Sequence, residues 1–355
     1  MNEPEGPPAT EAGTSDAPDR ASEAEGRRAQ RAVRERRLAL MGDPRYFSVK
    51  GGANPHTRTR WGTRRTVDRE RAIEQWNGLR RTLEELGIQV LVVPPDAAQP
   101  GLVYPANAGV MWDVDLPLPR SERRFLLANL LPTRAGEQTR YARALAEAGI
   151  ATETLDPALR FEGEADFFPA GTCYLLTHGR LERQRFVPAL QWPPWRRIYG
   201  FRTDVRVLDR LAPRVAPREV LRVELTLEAH YHGDTALCAF GPGRRFLLAY
   251  REGISPGDWP RLEEAFGDDL LELGRADAER YAANSFSYTS AAPGAEPRES
   301  FLVMPAGISE RLLAQVRERG VTPITVDVSE FLKKGGGSVK CMIGDLGVVV
   351  ESSSS

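Results

Sequence analysis

A helix that stops on glycine and runs straight into an apolar strand, repeated along the chain, is the feature that most constrains the fold. Between Arg69 and Leu86, Ile73, Trp76, Leu79, Leu83 and Leu86 recur at three- and four-residue spacing, the period of one helix face. Gly87 then ends the helix before Ile88-Gln-Val-Leu-Val-Val93, a largely β-branched run that reads as a buried strand. The same order recurs at Gln138–Glu147 before Gly149-Ile150, at Trp259–Phe266 before Leu270-Leu271, and at Ser309–Arg319 before Gly320–Val326. Such alternation predicts an α/β fold. Arg222–Ala236 and Ala239–Tyr250 read instead as two strands joined by Gly241-Pro242-Gly243, a hairpin and not a crossover. Repeated mixed units of this kind suggest a radial arrangement. Neither a glycine-rich dinucleotide fingerprint nor a P-loop is present, which removes the main support for a nucleotide-binding fold.

With 355 residues, 41% of them hydrophobic, the chain can bury a full core as one large domain or two smaller ones. Its 48 Lys and Arg against 49 Asp and Glu leave none of the basic excess that phosphate-backbone binding needs, so no nucleic-acid partner is expected. No run of eighteen apolar residues suggests a membrane span, and the acidic, Pro-rich start lacks the positive and apolar stretches of a signal peptide. A cytoplasmic protein is expected. Residues 1–25 carry no large apolar side chain after Met1 and read as a disordered tail. Arg27–Leu40 adds a basic helical stretch, so the expected division is a tail over 1–40, one domain over 41–350, and a flexible end over 351–355.

Three cysteines, Cys173, Cys238 and Cys341, fit neither a disulfide framework nor paired zinc-ligand spacing. Cys341 follows three glycines, Gly335–Gly337, and a short Ser-Val-Lys stretch that reads as a strand. Lys333, Lys334 and Lys340 would favour its thiolate if they lay nearby; the bland alternative is a flexible glycine loop with an inert thiol. Period-two alternation would place His230, His232 and Asp234 on one strand face, as a proton shuttle with a carboxylate or as two metal ligands lacking a third. Glu162, Glu164 and Asp166 lie within five residues among Phe161, Phe167 and Phe168, either as an exposed acidic turn or as buried carboxylates that need a cation. Together these groups supply the material for a nucleophile, a base and an orienting carboxylate.

The order of these motifs resembles the guanidine-modifying enzymes, the pentein or amidinotransferase superfamily, over residues 46–349. The resemblance rests on Tyr46-Phe47 to Asn54-Pro55, Asn107 in Val103–Gly109, Arg134 and Glu137 in Pro132–Glu137, Glu162–Asp166, His232-Gly-Asp234-Thr235, and Gly335–Cys341. It implies a five-bladed α/β propeller of ββαβ-like units around a polar pocket, with no metal and no cofactor. It implies further that Cys341 attacks the guanidino carbon of an arginine-like substrate, His232 serves as acid and base, and Glu162 orients His232. Asp234, Asp166, Asn107 and Asn54 would face the substrate, with Arg134 and Arg202 on its α-carboxylate. Asn107 stands where deiminases and dimethylarginine hydrolases usually carry aspartate, which looks like the arginine dihydrolases. Water or an acceptor amine would finish the reaction, giving a hydrolase or an amidinotransferase; a non-catalytic guanidino-binding protein is a third reading, and a homo-oligomer is possible. The Arg-, Trp- and Pro-rich segment 180–198 falls outside the family pattern and reads as a lid or a surface insertion. Gly233 replaces a usual apolar residue, which predicts a looser strand there.

Overall fold

Leu38, Ala39, Leu40 and Met41 are fully buried in the first strand, Val33–Gly42 (β1), of a computed structural model that describes residues 1, 33–49, 54–59, 63–190, 192, 194–290 and 299–352. The expected basic helix over Arg27–Leu40 is thereby corrected from Val33 onward, while residues 27–32, like the tail over 1–25 and residues 353–355, lie outside the described residues except for Met1. Alanine and arginine favour helix locally, but a run buried on both faces of a sheet outweighs that preference. The arginine is accommodated too: Arg37 pairs with Asp345 at 2.5 Å and Asp115 at 2.8 Å.

Asp68 accepts a hydrogen bond from the Arg71 amide and starts α1 (Arg69–Glu85), which buries Ala72, Trp76, Leu79 and Leu83. The next strand, β2 (Gln89–Val93), lies parallel to β1, with Leu38 opposite Gln89. Four further units share one construction, an antiparallel pair followed by a helix and a parallel third strand. They are β3 (Gly109–Val110), β5 (Arg124–Leu127), α2 (Ala135–Glu147) and β6 (Ala151–Thr154), with β4 (Leu118–Pro119) set between the first two strands in sequence; then β7 (Phe167–Ala170), β8 (Cys173–His178), α3 (Leu208–Val215) and β11 (Val220–Glu224). After them come β12 (Leu237–Phe240), β13 (Phe246–Ala249), α4 (Trp259–Phe266) and β14 (Leu270–Glu272), and, beyond α5 (Arg275–Glu279), β15 (Phe286–Thr289), β16 (Ser300–Pro305), α6 (Glu310–Glu318) and β17 (Val321–Val326). The last strand, β18 (Gly344–Ser352), joins the first sheet in the order β2-β1-β18-β4. The fold is α/β, with five sheets of three or four strands among the described residues, the four three-stranded ones mixed, and residues 35–351 form one compact unit.

The glycines read as helix stops do that work: Gly87, Gly149, Gly267 and Gly320 all take positive φ, between +50° and +81°. Two expectations need correction. The strand expected over Arg222–Ala236 ends at Glu224, because turn hydrogen bonds such as His230 N–H to Leu227 O and Ala236 N–H to Gly233 O use the backbone that a ladder would need. The Gly-Pro-Gly hairpin itself is β12 and β13, with Phe240 opposite Phe246. The segment 180–198 forms a second hairpin, β9 (Arg185–Pro188) with β10 (Trp195–Ile198), bearing exposed Phe186, Leu190, Trp192 and Trp195.

Candidate active site

The glycine run is a helix terminus leading into a tight approach. A short helix, α7 (Ser329–Gly335), ends at Gly336 in the left-handed conformation, and Gly337 passes so close to Tyr104 that a Cβ there would sit 2.6 Å from the ring. A single 3-10 turn, Lys340–Met342, then carries Cys341, which is 4% exposed; the expected Ser-Val-Lys strand is absent because Lys340 N–H bonds to Asn284 O and Met342 N–H turns back to Ser338 O and Val339 O. The Cys341 thiol donates to Asp234 Oδ2 at 3.3 Å, and its sulfur accepts from Asn284 Nδ2 at 3.1 Å. Burial, followed by the Asp234 charge, pushes this thiol well above its ordinary range. The lysines expected to offset that are engaged elsewhere, Lys333 with Glu330 at 2.6 Å and Lys340 with Glu164 at 2.8 Å, while the Lys334 side chain lies outside the described ones.

His232 stands in extended conformation between two short turns, Glu228–His230 and Gly233–Thr235, with Nε2 2.8 Å from Glu162 Oε2. Burial alone would lower the imidazole pKa, but Asp166 and the Glu162 hydrogen bond overcome it and raise it above 6.5. Glu162, which burial alone would raise, is held down to about 2 by His232, Arg202 and Arg134. Glu162 is therefore a carboxylate, and it favours the protonated form of His232. His230 does not share this face, contrary to the alternation expected: its Nδ1 lies 2.9 Å from Thr235 O and its ring packs against Tyr250 and Tyr281.

Asp166 also departs from expectation. It does not line the cavity, and both its oxygens are occupied, by Thr177 Oγ1 at 2.7 Å, Gly233 N at 2.9 Å and Thr203 Oγ1 at 2.6 Å. It anchors the chain that carries His232 and Asp234. Gly233 is tight, not loose: a Cβ there would lie 2.2 Å from Thr177 Oγ1.

A cavity of about 660 Å³ opens onto Cys341 and His232, and Asn54, Asn107, Arg134 and Arg202 line it. Arg134 donates from Nε and Nη2 to the two oxygens of Glu137, at 3.0 and 2.7 Å, and from Nη1 to Asn107 Oδ1 at 3.1 Å. Arg202 is buried with its guanidinium 4.9 Å from the Tyr231 ring centroid, and Asn54 Nδ2 reaches Tyr231 Oη at 3.4 Å. Asn107 Nδ2, Glu162 Oε1 and Asp234 Oδ1 are buried without a hydrogen-bond partner. Each such atom costs about 1–3 kcal/mol unless something fills it, and two of the three are carboxylate oxygens suited to the N–H fork of a planar cation. The sequence reading found the thiol, imidazole and carboxylates, but missed Asn284, Tyr104 and Tyr231. Nothing in Ala282-Ala-Asn-Ser285 marks Asn284 as chemical.

A buried thiol, a histidine paired with a carboxylate and unfilled carboxylate oxygens define a cysteine-dependent enzyme site on an α/β scaffold of repeated mixed units. No protein-family model matches the chain. Among curated proteins, it is 31% identical over 315 residues to N(G),N(G)-dimethylarginine dimethylaminohydrolase of Mycobacterium tuberculosis, covering 88% of this chain and 86% of that protein. It is also 29% identical over 303 residues to the bifunctional arginine dihydrolase/ornithine cyclodeaminase AgrE of Nostoc sp., of which it spans 37%. Among solved structures, the N-terminal domain of the arginine dihydrolase ArgZ bound to substrate superposes with a TM-score of 0.69 at 24% identity, covering 88% of this chain and 98% of that one. A dimethylarginine dimethylaminohydrolase adduct with S-methyl-L-thiocitrulline gives 0.57 at 16% identity, covering 87% of this chain and 98% of that one. The chain belongs to the guanidine-modifying superfamily of dimethylarginine dimethylaminohydrolases and arginine dihydrolases.

Proposed function

We propose that this protein hydrolyses the guanidino group of arginine or a close derivative through a covalent amidino–cysteine intermediate. The observation that carries the reading is the placement of the Cys341 thiol against Asp234, in a cavity that also opens onto the Glu162-paired His232. In the resting site the thiol keeps its proton, because burial and the adjacent carboxylate disfavour the thiolate. A guanidinium seated on Asp234 neutralises that charge and brings its own positive charge beside the sulfur, so substrate binding itself promotes deprotonation. The thiolate then adds to the guanidino carbon. His232, whose Nε2 is taken by Glu162, uses Nδ1 to protonate the departing amine, and carbon–nitrogen cleavage leaves the amidino group on sulfur. The same nitrogen next removes a proton from water, which adds to that carbon; collapse expels the thiolate and leaves a ureido product. Glu162 keeps the imidazole oriented, Asp234 and Asn107 grip the guanidino end, and Arg134, Arg202 and Asn54 hold the amino-acid end. The count of five sheets of three or four strands supports reading them as the blades of a five-bladed propeller around this cavity.

Incubation with free arginine and with its N-methylated derivatives, followed by assay of ammonia, methylamines and ureido or amino products, tests the reading. Acceptor-independent release of amine is expected, with loss of turnover in Cys341→Ala. Turnover that survives Cys341→Ala, or release only when an acceptor amine is supplied, is the contrary result.

A further inference from the structure

Asn284 is fully buried and uses its entire hydrogen-bonding capacity around the nucleophile. Its Oδ1 accepts from the backbone N–H of Ser338 at 2.9 Å and of Cys341 at 3.1 Å, and its Nδ2 donates to Asp234 O at 3.1 Å and to Cys341 Sγ at 3.1 Å. An amide has two acceptor sites and two donor hydrogens, so none is left over, and the flipped orientation would set its NH2 against two N–H donors. One side chain thus fixes the turn that presents the sulfur, ties that turn to the backbone of Asp234, and points a donor at the sulfur itself. Its own placement is set by Tyr281 at φ +59°, a conformation that non-glycine residues rarely adopt, and by Asn284 N–H bonding to Tyr281 O.

We infer that Asn284 is a catalytic residue, the neutral donor that stabilises the Cys341 thiolate during attack and again when the sulfur is expelled from the tetrahedral adduct. Chemistry favours this assignment over a structural one. The two largest influences on the sulfur disfavour the anion, since burial withholds water and Asp234 contributes a like charge; against them stand the Asn284 amide and a backbone hydrogen bond at Ser338, in the turn that Asn284 itself holds. Lys333 and Lys340, close in sequence, are paired away from it. An amide donates without carrying charge, so it supports the thiolate and leaves Asp234 unmatched until a cationic substrate arrives; a lysine in its place would neutralise Asp234 instead. The thiolate appears twice in the cycle, as attacking and as leaving group, so a fixed donor acts on both steps.

The inference rests on Cys341 as nucleophile, and its test reads the thiol separately from turnover. Asn284→Asp keeps both acceptor contacts and replaces the donor with an acceptor; Asn284→Ser removes the reach to the sulfur with little bulk, and stands in if the aspartate variant does not fold. The pH dependence of iodoacetamide modification at the Cys341 peptide is measured by mass spectrometry in the full chain, alongside kcat, KM and melting temperature. Cys173 and Cys238 are buried too, and reading the Cys341 peptide by itself keeps their modification out of the measurement. In either folded variant the midpoint for Cys341 is expected to move to higher pH, with alkylation at pH 8 slowed by about tenfold and kcat lowered by about 10²-fold at nearly constant KM. A folded variant whose Cys341 alkylation profile and kcat match the parent would overturn the assignment and leave Asn284 a packing residue. Turnover that persists in Cys341→Ala would instead overturn the nucleophile, whatever the Asn284 variants show.

Discussion

At the scale of single residues, Asp234 and Cys341 share one hydrogen bond across 107 positions of sequence, so each sets the other's charge. Asp234 must be ionised to hold a guanidinium, and burial raises its pKa to about 6 despite the nearby His232 and Lys340. Its folded pKa is raised, so the working anion is lost as pH falls through that value: kcat/KM is expected to decline below about pH 6. On the alkaline side the rate falls as His232, whose pKa is raised, loses the proton it gives to the leaving amine, while the Cys341 thiol is deprotonated on substrate binding. Asp234→Asn should remove the acid limb and lower kcat/KM by about 10²–10³-fold. An unchanged acid limb in that variant, measured from pH 5 to 9, would assign the limb to another group. The sequence exposed Cys341, His232, Glu162 and Asp234 because rare chemical groups stood in short recognisable clusters. It hid Asn284, whose role arises only when folding brings it to a sulfur 57 residues away.

At the scale of elements, the chain around His232 shows why pattern reading misassigned a strand. The alternation in Glu228–Asp234 is real, yet two successive turns claim the backbone groups that a ladder requires, and so His232 lines the cavity, Asp234 reaches the Cys341 sulfur, and His230 is turned away to Thr235 O. Gly233 permits this: its N–H bonds to Asp166, and the absent side chain leaves room for Thr177, which bonds to the same carboxylate. Gly233→Ala forces Thr177 off Asp166 and should destabilise the protein by about 1–3 kcal/mol, the usual cost of overpacking a tight site. Urea unfolding checks this, and a stability equal to the parent's would mean that the strand is as loose as its sequence suggested. The helix–glycine–strand units were legible because helix period and a left-handed glycine are local signals. The hairpin β9–β10 was legible only as an odd composition, although residues 181–184 at its root line the cavity.

At the scale of the whole molecule, β1, the first described strand, lies beside the last, β18, in one four-stranded sheet. Arg37 on β1 bonds to Asp345 on β18 and to Asp115, and Arg244 beyond β12 reaches the same two carboxylates. A second link runs from this cluster to the nucleophile: Glu164 accepts from Asp345 N–H and pairs with Lys340, the residue before Cys341. A boundary at residue 41, inferred from composition, cuts through this strand because its arginines mask a buried apolar run. Removing residues 1–40 deletes Leu38 and Leu40 from the core, at about 2–5 kcal/mol each, and takes Arg37 from Asp345, which keeps only Arg244 as a cationic partner among the described residues. Against a typical total stability of about 5–15 kcal/mol, such a truncation is expected not to fold. A cooperative melt for it would show β1 to be dispensable. The family's mixed-unit architecture was readable from repeated local patterns, whereas the link between β1 and β18 was not, since it joins residues some three hundred apart.

The central claim is that the guanidino carbon becomes bonded to Cys341. Acid quenching of the enzyme during steady turnover of arginine, followed by mass analysis of the Cys341 peptide, measures this directly. An amidino adduct on that peptide, absent without substrate and absent from Cys341→Ala, is the result expected; turnover with the Cys341 peptide unmodified at every quench time, and undiminished in Cys341→Ala, would contradict it.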